Sequence, residues 1–254
     1  MFPALWHVLA FEGRRTQTRD RIVSWLALAL FPSLLMILLQ SQSQREIPSE
    51  PLAIMSFYLV VQIGCMLGLL LWATPAIGSE LEAQTWVYVA VRPHGKLAIL
   101  LGKYLVATAW TASAGILSAV GIAFASQYPQ PLTLAGILMV LVILSSVCYA
   151  ALYVLIGVAF SARSTVVAVV YTLLFEGVLS NIPATINQFT VCYRLRSLLA
   201  EWGNLTELHQ AIEELFATEP VWQHLVCIAA FTFVSLGAAI LLVHTKEFPV
   251  NIDS

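Results

Sequence analysis

Charged side chains are what this sequence has least of. Only 10% of its 254 residues are Asp, Glu, Lys or Arg, while 59% are hydrophobic. A soluble domain carries roughly a quarter charged residues, so this chain is too apolar to be one, and no length is left for a soluble domain beside a membrane domain. The net charge of −2 supplies no cationic excess, and nucleic acid is not an expected partner.

Cysteine is also sparse, at four residues, with no CxxC pair and no His-rich tract to suggest a metal. Cys65 and Cys148 fall inside apolar runs and are expected in the core. Cys192 and Cys227 both map to the outer side in the topology below. A disulfide between them is geometrically conceivable, although nothing in their spacing supports it. A phosphate-cradling loop is missing too: Gly95–Lys96 and Gly102–Lys103 lack the upstream Gly and the following Ser or Thr. Any energy from ATP must therefore come from another chain. Intramembrane hydrolysis needs Ser with His, or clustered His and carboxylates, at membrane depth. His7, His94, His209, His224 and His244 all map to interfaces or outside, so no catalytic constellation is expected. No small-residue cleavage site follows the Arg-rich start, so the first span is expected to stay in the protein.

What the sequence does have is six apolar runs, each long enough to be read as a membrane span: about 22–40, 52–77, 97–124, 132–160, 165–182 and 221–244. Nine of the twelve Lys and Arg flank every second connection. They are Arg14, Arg15, Arg19, Arg21, Arg92, Lys96, Lys103, Arg163 and Lys246, with only Arg45, Arg194 and Arg196 opposite. The positive-inside rule makes the first set cytoplasmic, which puts both termini inside and requires an even number of spans. The basic residues then meet anionic lipid headgroups. The expected fold is all-α: a polytopic membrane protein of six transmembrane helices.

Details of the runs sharpen this picture. Residues 1–21 read as an interfacial helix, with Trp6, Leu9, Ala10 and Phe11 among polar residues before a basic tail. Pro32 is expected to kink the first span, and Thr74 and Pro75 to loosen the end of the second. Gly64 and Gly68 have the spacing that lets another helix approach closely. Residues 183–220 are mostly polar and acidic, and their apolar spacing predicts one or two amphipathic helices on the outer face. Asn204-Leu205-Thr206 is a glycosylation sequon, without meaning in a bacterial protein.

Two features could carry function. The connection 78–96 opens with Glu80, Glu82 and Gln84, continues through Thr85, Trp86, Tyr88 and Val89, and breaks at Arg92-Pro93. On its residues alone it is equally an amphipathic loop packed on lipid. Glu176 is the only acid that these spans place within hydrocarbon, where an ionised group costs about 2–3 kcal/mol or more unless paired or hydrated. It reads either as a structural group bonded to a neighbouring helix's Thr, Ser or Tyr, or as a residue of a gate or substrate path.

The stretch GSELEAQTWVYVAVRPHGKLAILLGKY, Gly78 to Tyr104, resembles the signature of ABC-2 type permeases, the membrane subunits of ABC exporters. Glu80, Glu82, Thr85, Pro93, Gly102 and Lys103 match that pattern in type and order. Gln84 departs from it, standing where the family often has Gly. YTLLFEGVLSNIPATINQFTVCYRLRSL resembles the same permeases at Phe175, Glu176, Gly177 and Pro183. The resemblance implies a cytoplasmic coupling helix in 78–96, with Glu80, Glu82, Thr85, Trp86, Tyr88 and Pro93 facing a separate ATP-binding subunit. It also implies a second permease subunit, alike or related, and export across a bacterial plasma membrane. ATP and Mg would sit on the partner, with no cofactor and no enzymatic chemistry on this chain. Two other classes stay open: a proton-coupled secondary transporter using Glu176, and a non-transporting membrane scaffold. The cargo is not legible.

Overall fold

The computed structural model describes residues 11–13, 15–42, 47–82, 95–181, 187–188, 190–215 and 219–246, and helix is the only regular structure among them. The order is α1 (Arg19–Gln42), α2 (Ser49–Trp72), α3 (Gly78–Glu82), α4 (Gly95–Ala125), α5 (Pro131–Ala159), α6 (Ser164–Val178), α7 (Val191–Trp202), α8 (Thr206–Leu215) and α9 (Val221–Thr245). Five of these, α1, α2, α4, α5 and α9, are long and apolar enough to cross a membrane. The apolar run at 165–182 gives a shorter helix, α6. At about 1.5 Å per residue it is roughly 22 Å long, less than the ~30 Å of hydrocarbon. The expected six helices of spanning length are therefore five among the described residues.

The apolar surface points outward. Leu34 of α1 is 63% exposed, and Phe233 and Val234 of α9 are 74% and 71% exposed. Side chains of this kind in continuous rows are tolerated when the surroundings are hydrocarbon. α5 is the axis, packing against α2, α4, α6, α7 and α9. Its small residues let neighbours close in: a methyl at Gly157 would lie 2.5 Å from the Thr74 carbonyl oxygen, and a methyl at Gly115 of α4 would lie 2.7 Å from Val142. The Gly64–Gly68 pair contributes less than its spacing predicts. Gly68 faces Thr111 of α4, but Gly64 meets only the Leu59 carbonyl of its own helix. α1 passes through Pro32 as one helix, whereas α2 stops at Trp72 and gives way to a tight turn at Thr74–Ala76. That turn replaces the last part of the expected second span.

Polar contacts identify the two ends of the bundle. At one end, Arg15 reaches Glu80, and Lys246 donates to the Val158 and Ala159 carbonyls at 3.2 and 2.7 Å. At the other, Gln40 donates to the Ser126 carbonyl. Here α7 and α8 lie over the bundle. Thr190 caps α7, its hydroxyl accepting from the Tyr193 N–H at 3.2 Å, a favourable N-cap residue. Asn204, at φ 48°, makes the turn into α8, and Asn is one of the few side chains that visits this left-handed region routinely. The N-terminus of α8 is capped from a distance: Glu50 of α2 accepts from the Thr206 N–H and hydroxyl and from the Glu207 N–H at 2.8–3.0 Å. A carboxylate suits the positive end of a helix.

Of the expected interfacial helix, residues 1–10 and 14 lie outside the described residues. Glu12 and Thr16 are buried against the bundle while Phe11 is 63% exposed.

Candidate functional site

Two of the α-helices change pitch, and they do so where they meet. α2 is π-helical over Tyr58–Gly64 and α6 over Thr172–Val178. Such segments are rare, concentrate at functional sites and reshape the regular backbone hydrogen-bond ladder. Side chains are in place at both. Ser145 of α5 donates to the Val61 carbonyl at 3.1 Å. Gln62 Nε2 donates to the Glu176 carbonyl at 2.9 Å, and the Ser180 hydroxyl donates to the same oxygen.

The Glu176 side chain is fully buried and has a complete set of donors. Tyr149 of α5 gives its hydroxyl to Oε2 at 2.8 Å, the Cys192 N–H of α7 reaches Oε2 at 3.1 Å, and Tyr171 reaches Oε1 at 3.3 Å. Cys192 Sγ then donates to Gln62 Oε1 at 3.1 Å. The bonds form a closed circuit: α7 to Glu176, Glu176 to Gln62 of α2, and Gln62 back to α7. Aromatic rings wall this circuit, with Tyr149 stacked on Tyr153 and Tyr171 on Phe175. Arg196, one turn beyond Cys192, donates to the Tyr58 hydroxyl at 3.2 Å and at 3.5 Å to the Ser180 carbonyl. A network satisfied in this way is rigid and costly to open, because each member left unpaired in an apolar interior loses about 1–3 kcal/mol. It is a latch between the middle of α2, the end of α6 and the amphipathic helix α7 packed on them.

Cys192 therefore takes part in no disulfide. All four cysteines are free thiols, with Cys192 buried and Cys227 exposed. Burial pushes the Cys192 thiol up to about 12, and the Glu176 carboxylate adds to the effect. A thiol held protonated in this way is a poor nucleophile.

The second polar cluster is at the basic end. Glu80 of α3 is only 2% exposed. Its Oε1 accepts from Lys103 Nζ of α4 at 2.7 Å and from Arg15 at 2.9 Å, and Lys103 also donates to the Ser79 hydroxyl. Glu12 stands 3.9 Å from Arg15. Glu80 turns inward onto these two cations, and Lys103 ends on a carboxylate instead of reaching to headgroups. The physical reason is that two cations converge on Glu80 from α4 and from the segment before α1, which offsets the cost of burying it.

Of the other residues expected to face an ATP-binding subunit, Glu82 ends α3 but its side chain lies outside the described residues, as do Thr85, Trp86, Tyr88 and Pro93 entirely. Sequence reasoning singled out Glu176, with a Thr, Ser or Tyr as its expected partner, and Glu80, but not which residues bond Glu176 nor the pairing of Glu80 with Lys103 and Arg15. Gln62, an amide in the middle of an apolar run, was the available signal. Nothing in the spacing of Tyr149, Tyr171 and Cys192 marks them. No group of three or more His, Cys, Asp and Glu side chains that could hold a metal occurs among the described residues. Comparison with protein-family models finds no match, and comparison with curated proteins finds none either.

Proposed function

We propose that this chain is the membrane subunit of an ABC-type exporter, dimerising with a like or related subunit and driven by a separate ATP-binding protein. In this reading α6 with its continuation to residue 181 supplies the sixth crossing, and the basic end faces the cytoplasm. The observation that best supports this reading is the Glu80 cluster. A connection that transmits force from a partner must be fixed rigidly to the helices it moves. Here the start of that connection is bolted by Glu80 to Lys103 of α4 and to Arg15 before α1. The following residues, with Trp86 and Tyr88 as apolar anchors, supply the surface a partner grips. ATP closure of the partner shifts this lever, and the bundle rocks between two packings. The buried Glu176 latch is then a joint that must hold in one packing and open in the other.

The test is ATP hydrolysis by the complex purified with its ATP-binding subunit. Trp86→Ala with Tyr88→Ala is expected to lower the stimulated rate at unchanged helical content. An unchanged rate would remove the lever.

One observation favours a second reading. A fully buried carboxylate ringed by hydroxyls is also the core of a proton site. A secondary transporter would load vesicles on a pH gradient without ATP, whereas the exporter would not.

A further inference from the structure

Between the start of α1 and the middle of α4 runs an open groove of about 580 Å³, walled almost wholly by apolar atoms and lined by Gln17, Ile22, Trp25, Val106, Trp110 and Ser113 among others. This volume is within the range of about 300–1,000 Å³ seen for ligand sites. The stretch of α4 from Val106 to Ser113 gives it a length of about 10 Å. Both tryptophans that line it have their indole N–H satisfied within the protein. Trp25 donates to the Ser113 hydroxyl at 3.0 Å and Trp110 to the Thr16 hydroxyl at 3.2 Å. An interfacial tryptophan usually presents its polar edge to headgroups or water. These two do not, so their apolar faces are left to the groove.

The mouth is different in character. Gln17 and Ile22 both line the groove, and between them the chain carries Arg19, which is exposed, and Arg21, which is half-buried. From Glu12 to Arg21 there are four arginines against two acids. Of those acids Glu12 is buried facing Arg15, and Asp20 shares the first turn of α1. Arg21 also borders a small cavity of mixed lining, with Glu12, Thr16, Ser79 and Lys103, that adjoins the groove at Val106. An apolar slot at membrane depth with a cationic rim matches one occupant, an amphiphile with an anionic head and a hydrocarbon tail.

We infer that the α1–α4 groove is a binding site for an anionic phospholipid of the surrounding leaflet, its acyl chain against Trp25 and Trp110 and its phosphate at Arg19 and Arg21. α1 packs mainly on α4, so a lipid wedged here sets how α1 leans on the bundle. The inference depends on α1 and α4 lying in a membrane. It does not depend on an ATP-driven partner, and its test reads neither ATP hydrolysis nor transport.

The test places the full chain in phosphatidylcholine vesicles containing, at equal mole fraction, either dibrominated phosphatidylglycerol or dibrominated phosphatidylcholine. Bromine quenches an indole it touches, and the part due to Trp25 and Trp110 is obtained by difference from a Trp25→Phe/Trp110→Phe variant. The anionic lipid is expected to be enriched at these two rings on the order of tenfold over the neutral one. Arg19→Gln/Arg21→Gln, changing residues outside the packed core, is expected to abolish the preference. Ala109→Leu, which fills the groove from an exposed position, is expected to abolish the quenching itself. Equal quenching by the two lipids overturns the proposal, as does a preference that survives either variant. Shielding of both tryptophans from both lipids, the result if a second copy of the chain fills the groove, overturns it as well.

Discussion

Glu176 offers the most decisive single substitution. Its two oxygens accept three hydrogen bonds, from Tyr149, Tyr171 and the Cys192 N–H. Gln keeps an oxygen at the Oε2 position for Tyr149 and Cys192, and its amide can donate to the Tyr171 hydroxyl, which rotates to accept. Leu leaves all three donors facing hydrocarbon, at about 1–3 kcal/mol each. Glu176→Gln is therefore expected to change thermal stability in detergent by less than about 1 kcal/mol, and Glu176→Leu to cost several. Equal tolerance of both would show that the circuit is not a latch. At the basic end, Glu80→Gln leaves Lys103 without its counter-charge in a site 10% exposed. Breaking a buried pair in this way costs about 3 kcal/mol or more, and the exchange Glu80→Lys with Lys103→Glu should recover part of it. Additive losses in that double-mutant cycle would mean the two side chains are not coupled. Glu176 stood out in the sequence because an acid is expensive within hydrocarbon, and Glu80 because it opens the motif of the connection 78–96. The residues that bond Glu176 did not, because a Tyr or a backbone N–H is ordinary everywhere.

At the scale of elements, long apolar runs and flanking charges were enough to place five helices, since hydrocarbon leaves the backbone no other way to satisfy itself. Pitch was not legible. The π-helical segments of α2 and α6 accept bonds from side chains of other helices, Ser145 and Gln62, and no local pattern encodes them. Close approach was only half legible: glycine spacing singled out Gly64 and Gly68, while tighter crossings use Gly115, Gly121 and Gly157. Gly157→Ala puts a methyl into the Thr74 carbonyl and is expected to cost about 1–3 kcal/mol. Gly136→Ala, with nothing within 4 Å, is expected to be neutral or slightly stabilising. A thermal melt of the two variants decides, and similar melts would contradict the packing. α8 depends on Glu50 of α2 for its cap. Glu50→Ala should speed amide exchange at Thr206 and Glu207 by roughly fivefold, the equivalent of about 1 kcal/mol of capping. Unchanged exchange would show that α8 holds itself.

The whole molecule is a bundle with one polar joint at its basic end and a second, buried one where the middle of α2 meets α6 and α7. The joint at the basic end fixes the connection after α2 to α4, and the buried one ties α2, α6 and α7 together. Coupling between sites this far apart needs rigid elements with two arrangements, and the two joints are where a change of packing would have to act. The central claim is that the connection beginning at Glu80 is a cytoplasmic handle for a separate ATP-driven protein. Labelling of an Ala83→Cys variant in intact cells, with Cys227 replaced by Ser, tests it most directly. A membrane-impermeant thiol reagent is expected to leave position 83 unmodified until the membrane is opened, and labelling from outside intact cells would contradict the account.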